Sequence, residues 1–372
     1  MTHGLSHPAL PEPQDRLARI ERARQTVMGQ APAGAAPGVQ PWIERSWRRC
    51  LDLGMHPRQR IQFDEVSAPA VKRAIEANQP LLRAAAPVIR SLARAMADTR
   101  YFAILTDAQG VVIDVNGPID RQDPSASAIA RVGVNLSEAA VGTTAIGATL
   151  AEGLPVWLHR GEHFFDDTSV YSCAGAPLFG PNGQCIGMLD LTGIHVPERP
   201  ALKHLVTQSA RSIENALTLA QPHHLLLRLN WPGRVLGEDS DGLVGLDADG
   251  RITAANRAAI DMLNLVPGQA WPHASDVFAV PTGVLFDAAR QQRGAVEQPL
   301  WCGLRVQVLA QPHSGHEGGS APAPSGNYGV PLKQVESALI RKAVEDAQGN
   351  VAEAARVLGI SRATVYRKLE RR

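Results

Sequence analysis

The chain has 372 residues, more than one hydrophobic core usually fills, so two or three domains are expected. Hydrophobic residues make up 44% and charged residues 20%, a balance that supports folding, and no apolar run approaches the roughly 20 residues that cross a bilayer. Formal net charge is only +1, which excludes a uniformly basic chain and confines any nucleic-acid footprint to a local patch.

Residues 1–14 are rich in Pro and His without periodicity and read as a disordered tail. A short helix is expected over Asp15–Gly29, then a linker over Ala31–Gly38 that packs against nothing, so 1–40 forms tail, short helix and linker. Within 41–65, Ile43, Trp47, Cys50 and Leu51 recur at helical spacing. From Val66 to Met96 a further stripe (Val71, Ile75, Leu82, Val88, Leu92) indicates one or two helices. The period then changes to that of strands: Tyr101 to Val115 reads as a hairpin turning at Asp107–Gly110, and Cys173 to Leu191 as a second turning at Asn182-Gly183. Leu202, Leu205, Val206, Ile213 and Leu217 mark a long helix over Leu202–Leu219, closing a region 66–221.

A third module, 230–311, repeats strand, turn and strand over Gly242–Asn256, with a helix over Arg257–Leu263 and a closing strand near Leu304–Leu309. Residues 312–331 are poor in apolar side chains and rich in Gly, Ser, Pro and His, the composition of a flexible tether. The last stretch, Leu332–Arg372, carries a net charge of +4 against −3 for everything before it, a basic end on a neutral chain.

That end holds the most specific pattern. Asn350 caps a helix whose inward face is Val351, Ala354, Ala355 and Leu358; Gly359 ends it, and Ser361 caps a second helix burying Val365 and Leu369. Arg362, Ala363, Thr364, Arg367 and Lys368 then point outward, with Tyr366 among them. Two capped helices joined by a glycine turn are a helix-turn-helix, whose second helix enters the major groove of double-stranded DNA N-terminus first. Arg362 is the candidate for a bidentate guanine contact, Thr364, Arg367 and Lys368 for phosphates, and the helix N-termini at Asn350 and Ser361 for backbone-amide contacts to phosphate. The preceding helix, Leu332–Ala347, has an apolar stripe suited to closing a small core or to pairing two chains, and paired half-sites favour a homodimer.

Residues 332–371 resemble the Fis-type helix-turn-helix at the end of bacterial enhancer-binding activators. The front half is similar to the acetoin-responsive branch of that family, through Trp47-Arg-Arg-Cys50, Gly54-Met-His-Pro57, Glu138-Ala-Ala-Val-Gly-Thr-Thr-Ala-Ile-Gly147, Glu162-His-Phe164, Cys173-Ala-Gly-Ala-Pro177 and Gly187-Met-Leu-Asp-Leu-Thr-Gly193. The resemblance implies an α+β chain: a GAF sensor domain built on an antiparallel sheet with helices, a smaller PAS-like α+β domain, and an all-α helix-turn-helix. The family's usual central ATPase is not expected, because none of the five lysines (Lys72, Lys203, Lys333, Lys342, Lys368) follows a glycine as a P-loop requires.

With a GAF domain, the ligand pocket is expected between the sheet and the loops 135–149 and 157–173. Asn135, Thr143, Thr144, His163 and Cys173 are its candidate polar groups, and Trp157, Phe164 and Tyr171 its candidate walls. Structural roles stand beside these: Thr143 and Thr144 as helix caps, His163 as a bonded loop residue, Cys173 as a small core residue. The expected partners are DNA, a small effector such as acetoin or a related hydroxyketone, alcohol or aromatic, and RNA polymerase or a full-length relative. No cofactor or metal is expected, since the four cysteines are scattered without CxxC or zinc spacing. The N-terminus lacks a basic segment followed by an apolar core, which makes the cytoplasm the expected compartment. Two rival readings remain at this level: a cysteine-based reductase pairing Cys173 with Cys185, and an architectural protein that bends DNA without sensing.

Overall fold

A computed structural model describes residues 13–29, 34, 36, 38–63 and 66–312, together with Val344, Val351 and Ala355. The chain divides into two units, Met1–His313 and Ser314–Arg372.

The first unit opens with α1 (Pro13–Met28) and α2 (Pro41–Asp52). Pro41 starts α2 where a missing N–H costs nothing. Ile43, Ser46, Trp47 and Cys50, spaced i, i+3, i+4 and i+7, are buried along one face. The Ala31–Gly38 segment departs from a linker that packs against nothing: Ala36 is only 6% exposed and joins Val27, Trp47 and Phe164 in a small core.

Next come α3 (Ala68–Ala77), α4 (Gln79–Ala95), β1 (Tyr101–Asp107) and β2 (Val112–Asn116). The α4 stripe that the fold buries is Leu81, Ala85, Ile89 and Leu92, with Leu82 and Val88 flanking it. In the β1–β2 turn Asp107 Oδ1 accepts the amides of Gln109 and Val111, both at 2.9 Å, and Gly110 takes φ +82°. A Cβ at Gly110 would sit 3.0 Å from the Ser137 backbone, so both the turn and the neighbouring loop demand glycine there.

Three short helices follow, α5 (Pro124–Ile129), α6 (Glu138–Val141) and α7 (Ala145–Glu152), then β3 (Val156–His159), β4 (Tyr171–Phe179), β5 (Cys185–Ile194) and α8 (Leu202–Leu219). The strands form one antiparallel sheet in the order β2-β1-β5-β4-β3. Alternation sorts its side chains: Tyr101, Ala103, Leu105, Ala174, Ala176, Leu189 and Leu191 pack toward α4 and α8. Phe102, Ile104, Cys173 and Met188 face the core that contains α5, α6 and α7.

The second sheet comprises β6 (Leu225–Asn230), β7 (Gly242–Leu246), β8 (Ile252–Ala255), β9 (Val296–Pro299) and β10 (Arg305–Pro312), with α9 (Arg257–Leu263) and α10 (Thr282–Arg290) between β8 and β9. Its order is β8-β7-β6-β10-β9. The central place, held in the first sheet by its last strand, is held here by the first, β6, which starts at Leu225. The β7–β8 turn repeats the device of β1–β2: Asp247 Oδ1 accepts from Asp249 and Arg251, and Gly250 takes φ +88°.

The two sheets share α8. Asn256, 3% exposed, donates to Asn215 Oδ1 on α8 at 2.7 Å and to the Asp241 carbonyl at 2.8 Å, while its own Oδ1 accepts from Leu243 and Ala259. Every hydrogen-bonding position of that amide is used.

Candidate functional site

An apolar cavity of about 30 Å³ lies between β1, β4 and β5 of the first sheet and the α5–α7 side. That is roughly twice the space one water needs. Aliphatic side chains from β1 and the helical segments, Ile104, Ile129, Leu136, Val141 and Ile146, form most of its wall. Its polar groups come from loops and strands that alternation turns inward.

Four sequence candidates meet there: Thr144, His163, Tyr171 and Cys173. Thr144 also caps α7, accepting from the Gly147 amide at 3.1 Å. His163 is fully buried, with Nδ1 2.9 Å from the Arg160 carbonyl. Burial lowers its pKa to about 4, so the ring is neutral; Nδ1–H donates to the carbonyl and Nε2 is left as an acceptor, 3.6 Å from Cys173 Sγ. The Tyr171 hydroxyl donates to the Ser125 carbonyl at 3.0 Å, and burial holds it protonated.

Four other candidates lie elsewhere. Asn135 is exposed and accepts from the Ser137 amide at 3.0 Å. Thr143 is bound by Ser46 Oγ at 2.7 Å and by Cys50 Sγ at 3.6 Å, on the α2 side. Phe164 belongs to the core formed with α1 and α2. Trp157 lies on β3 opposite Ala174, whose side chain joins the α4–α8 core; Arg16 covers the indole at 4.3 Å. Reading 157–173 as continuous loop hides that four-residue strand, in which Leu158, not Trp157, faces the cavity side.

Two lining residues, Asp190 and Thr192, were not among the candidates. They alternate on β5, so both face inward, and Asp190 pairs with Ile104 on β1 and Gly175 on β4. Thr192 Oγ1 donates to Asp190 Oδ2 and lies 3.3 Å from Cys173 Sγ. Asp190 is 0% exposed, and burial raises its carboxyl pKa to about 7 against the opposing hydrogen bond from Thr192. The sequence signals were the family-like run Gly187-Met-Leu-Asp-Leu-Thr-Gly193 and its alternation, which places Asp190 and Thr192 on one face without saying which.

The N-terminal helices hold the loops around this cavity. Arg49 on α2 binds Glu138 through two hydrogen bonds, 2.6 and 3.0 Å, and reaches Glu152 at 3.0 Å. Trp47 Nε1 donates to the Glu162 carbonyl at 2.9 Å. Arg24 on α1, itself buried, donates to the carbonyls of Gly161, His163 and Phe164 and to Asp166.

The reductase pairing does not fit this sheet. Cys173 lies opposite Thr192 and Cys185 opposite Phe179, six residues along β4. At about 3.4 Å per residue that is about 20 Å, against a Cα separation under about 7 Å in a disulfide. Burial also raises the Cys173 thiol far above its ordinary pKa, which keeps it protonated.

Residues 18–215 match the family described as MimR, N-terminal domain. The chain belongs to that family. Its far end, 331–371, matches the Fis family of bacterial regulatory proteins. The acetoin catabolism regulatory protein of Cupriavidus necator is 31% identical over 258 residues, 68% of this chain and 38% of that one. The propane 2-monooxygenase operon transcriptional activator MimR of Mycolicibacterium goodii is 28% identical over 62% of this chain and 40% of its own length. The matched stretch therefore spans about two fifths of these relatives. Among solved structures, the Escherichia coli DhaR(N)–DhaL complex has a chain that overlays with a TM-score of 0.45 at 16% identity, covering 73% of this chain and 100% of that one.

As a member of the MimR N-terminal family the chain is an α+β protein with antiparallel sheets ahead of a Fis-type helix-turn-helix. The candidates Asn350, Ser361, Arg362, Ala363, Thr364, Tyr366, Arg367 and Lys368 lie outside the described residues. Val344, Val351 and Ala355 are helical, and Ala355 is 4% exposed, in keeping with the inward face read for its helix. Among the described residues no group of three or more His, Cys, Asp or Glu is arranged to hold a metal ion, and no helix is long and apolar enough to cross a membrane.

Proposed function

We propose that this chain is a cytoplasmic bacterial transcription regulator that binds double-stranded DNA through its Fis-type end and tunes that binding through a small molecule held in the cavity of the first sheet. The match of residues 331–371 to the Fis family carries the reading. Its second helix presents Arg362 to base edges and Thr364, Arg367 and Lys368 to phosphates, with Asn350 and Ser361 as caps, Ala363 and Tyr366 beside them, and a homodimer supplying two half-sites. The regulatory relatives support a metabolite effector, acetoin or a related hydroxyketone, alcohol or aromatic. No ATPase step enters the proposal, because the sequence has no Gly-Lys pair for a P-loop. RNA polymerase, or a longer relative, is the partner through which bound chain acts on transcription.

Mapping the chromosomal sites that the chain occupies yields a target duplex, on which wild type is compared with the Arg362→Ala/Arg367→Ala double variant. Loss of the base contact alone weakens binding by about 1–3 kcal/mol, roughly five- to 150-fold, and loss of a phosphate contact makes the salt dependence shallower. Equal affinity of the two proteins would falsify the assignment.

A further inference from the structure

We infer that the domain of the second sheet holds a binding site of its own, a pocket that takes a small organic cation with an aromatic or apolar body. The pocket is separate from the first-sheet cavity and far larger, about 370 Å³ against about 30 Å³, a size that holds small molecules. It opens between the end of α9, the segment 264–277 and the β9–β10 turn. Leu263, Leu265 and Leu300, all buried, give it an aliphatic floor.

Two indoles line the same pocket. Trp301 is 67% exposed, yet its Nε1–H donates to the Ser275 carbonyl at 2.7 Å. Trp271 Nε1–H donates to the Pro181 carbonyl at 3.2 Å, which joins the pocket to the β4–β5 turn of the first sheet. With both N–H groups spent, the rings have only their π faces and edges to offer a ligand. The fold gains little burial from Trp301 and still fixes its ring, leaving a preorganised wall. Charge then selects the class of ligand. Among the described residues Asp276 is the only charged side chain lining the pocket. Its Oδ2 accepts from the His273 amide at 3.2 Å, and its Oδ1 takes no hydrogen bond among the described residues. An anion there would meet a carboxylate without any counter-charge, whereas an ammonium meets the carboxylate and the ring quadrupoles together. The exposed side-chain amides of Asn264 and Gln269 complete the lining and can accept further N–H bonds.

Calorimetric titration of the full chain at neutral pH with 2-phenylethylamine, 2-phenylethanol and phenylacetate tests this, since the three share an aryl body and differ in charge. Wild type is expected to bind the ammonium about fivefold or more tightly than the alcohol, and the carboxylate more weakly than either. In Asp276→Asn, which keeps an oxygen for the His273 amide, the ratio of ammonium to alcohol is expected to fall within about twofold. Trp301→Ala, which truncates an exposed side chain, is expected to weaken both by about threefold or more. Thermal melts confirm that the two variants are folded, and the comparison of the three probes in wild type needs neither variant. Alcohol or carboxylate binding as tight as the ammonium in wild type, a ratio unchanged in Asp276→Asn, affinities unchanged in Trp301→Ala, or no binding of any probe each overturns the inference. If no probe binds and Trp301→Ala instead weakens self-association in sedimentation, the face belongs to a second copy of the chain.

Discussion

Asp190 is held in its acid form by burial up to about pH 7, whereas the same side chain in an unfolded chain gives up its proton near 3.8. Between these values the folded state binds more protons than the unfolded one, so this residue's contribution to stability is greatest at low pH, declines as pH rises from about 4 to 7, and is flat above. Glu214, also raised to about 7 by burial, follows the same course, so the comparison that isolates Asp190 is wild type against Asp190→Asn. Urea unfolding across that range should show the variant gaining stability relative to wild type as pH rises, then a constant difference. Parallel curves would mean that Asp190 is ionised throughout. Cys173, His163, Asp190 and Thr192 all stand in stretches that carry the family resemblance, yet only the first two were named for this cavity. Asp190 and Thr192 were passed over because alternation tells which residues share a face, while only the packing of α7 and its neighbours against the sheet tells which face encloses space.

The cavity's loops depend on elements far from it in sequence. Trp47 on α2 is fully buried and bonded to the Glu162 carbonyl; truncating it leaves a void and an unpaired carbonyl. Trp47→Ala is expected to cost about 3–5 kcal/mol in urea unfolding. Arg49→Ala, which cuts a half-exposed but bidentate pair with Glu138, should cost about 1 kcal/mol. The same loss from both variants would show that packing does not dominate this clamp. Helices with one apolar stripe, α2 and α8 among them, were legible from spacing alone, as were the glycine turns at Gly110 and Gly183. The strand β6 was not: Leu225 to Leu229 is almost continuously apolar, and such a run has no period to separate strand from helix. Ala36 was equally hidden, since a Pro- and Gly-rich segment says nothing of the Trp47 and Phe164 core it meets.

Across the first unit the first sheet and the second sheet are tied through α8 by Asn256 and Asn215. Replacing Asn256 with Ala strands the amides of Leu243 and Ala259, the Asn215 side chain and the Asp241 carbonyl together, so a loss of about 3 kcal/mol or more in chemical unfolding is expected. A loss within experimental error would show that the sheets do not depend on that joint. Through it, a ligand that prefers one packing of α8 has a route into the second domain. Whether the route reaches the Fis-type end is decided by linkage: an effector that changes DNA affinity must have its own affinity changed by DNA to the same degree. The most direct measurement is the affinity of the full chain for its mapped duplex, by fluorescence anisotropy, with and without saturating acetoin, the first effector proposed. A ligand-tuned regulator gives a shift of about fivefold or more, matched by an equal shift in acetoin affinity when the duplex is present; a duplex affinity that stays the same at saturation contradicts it.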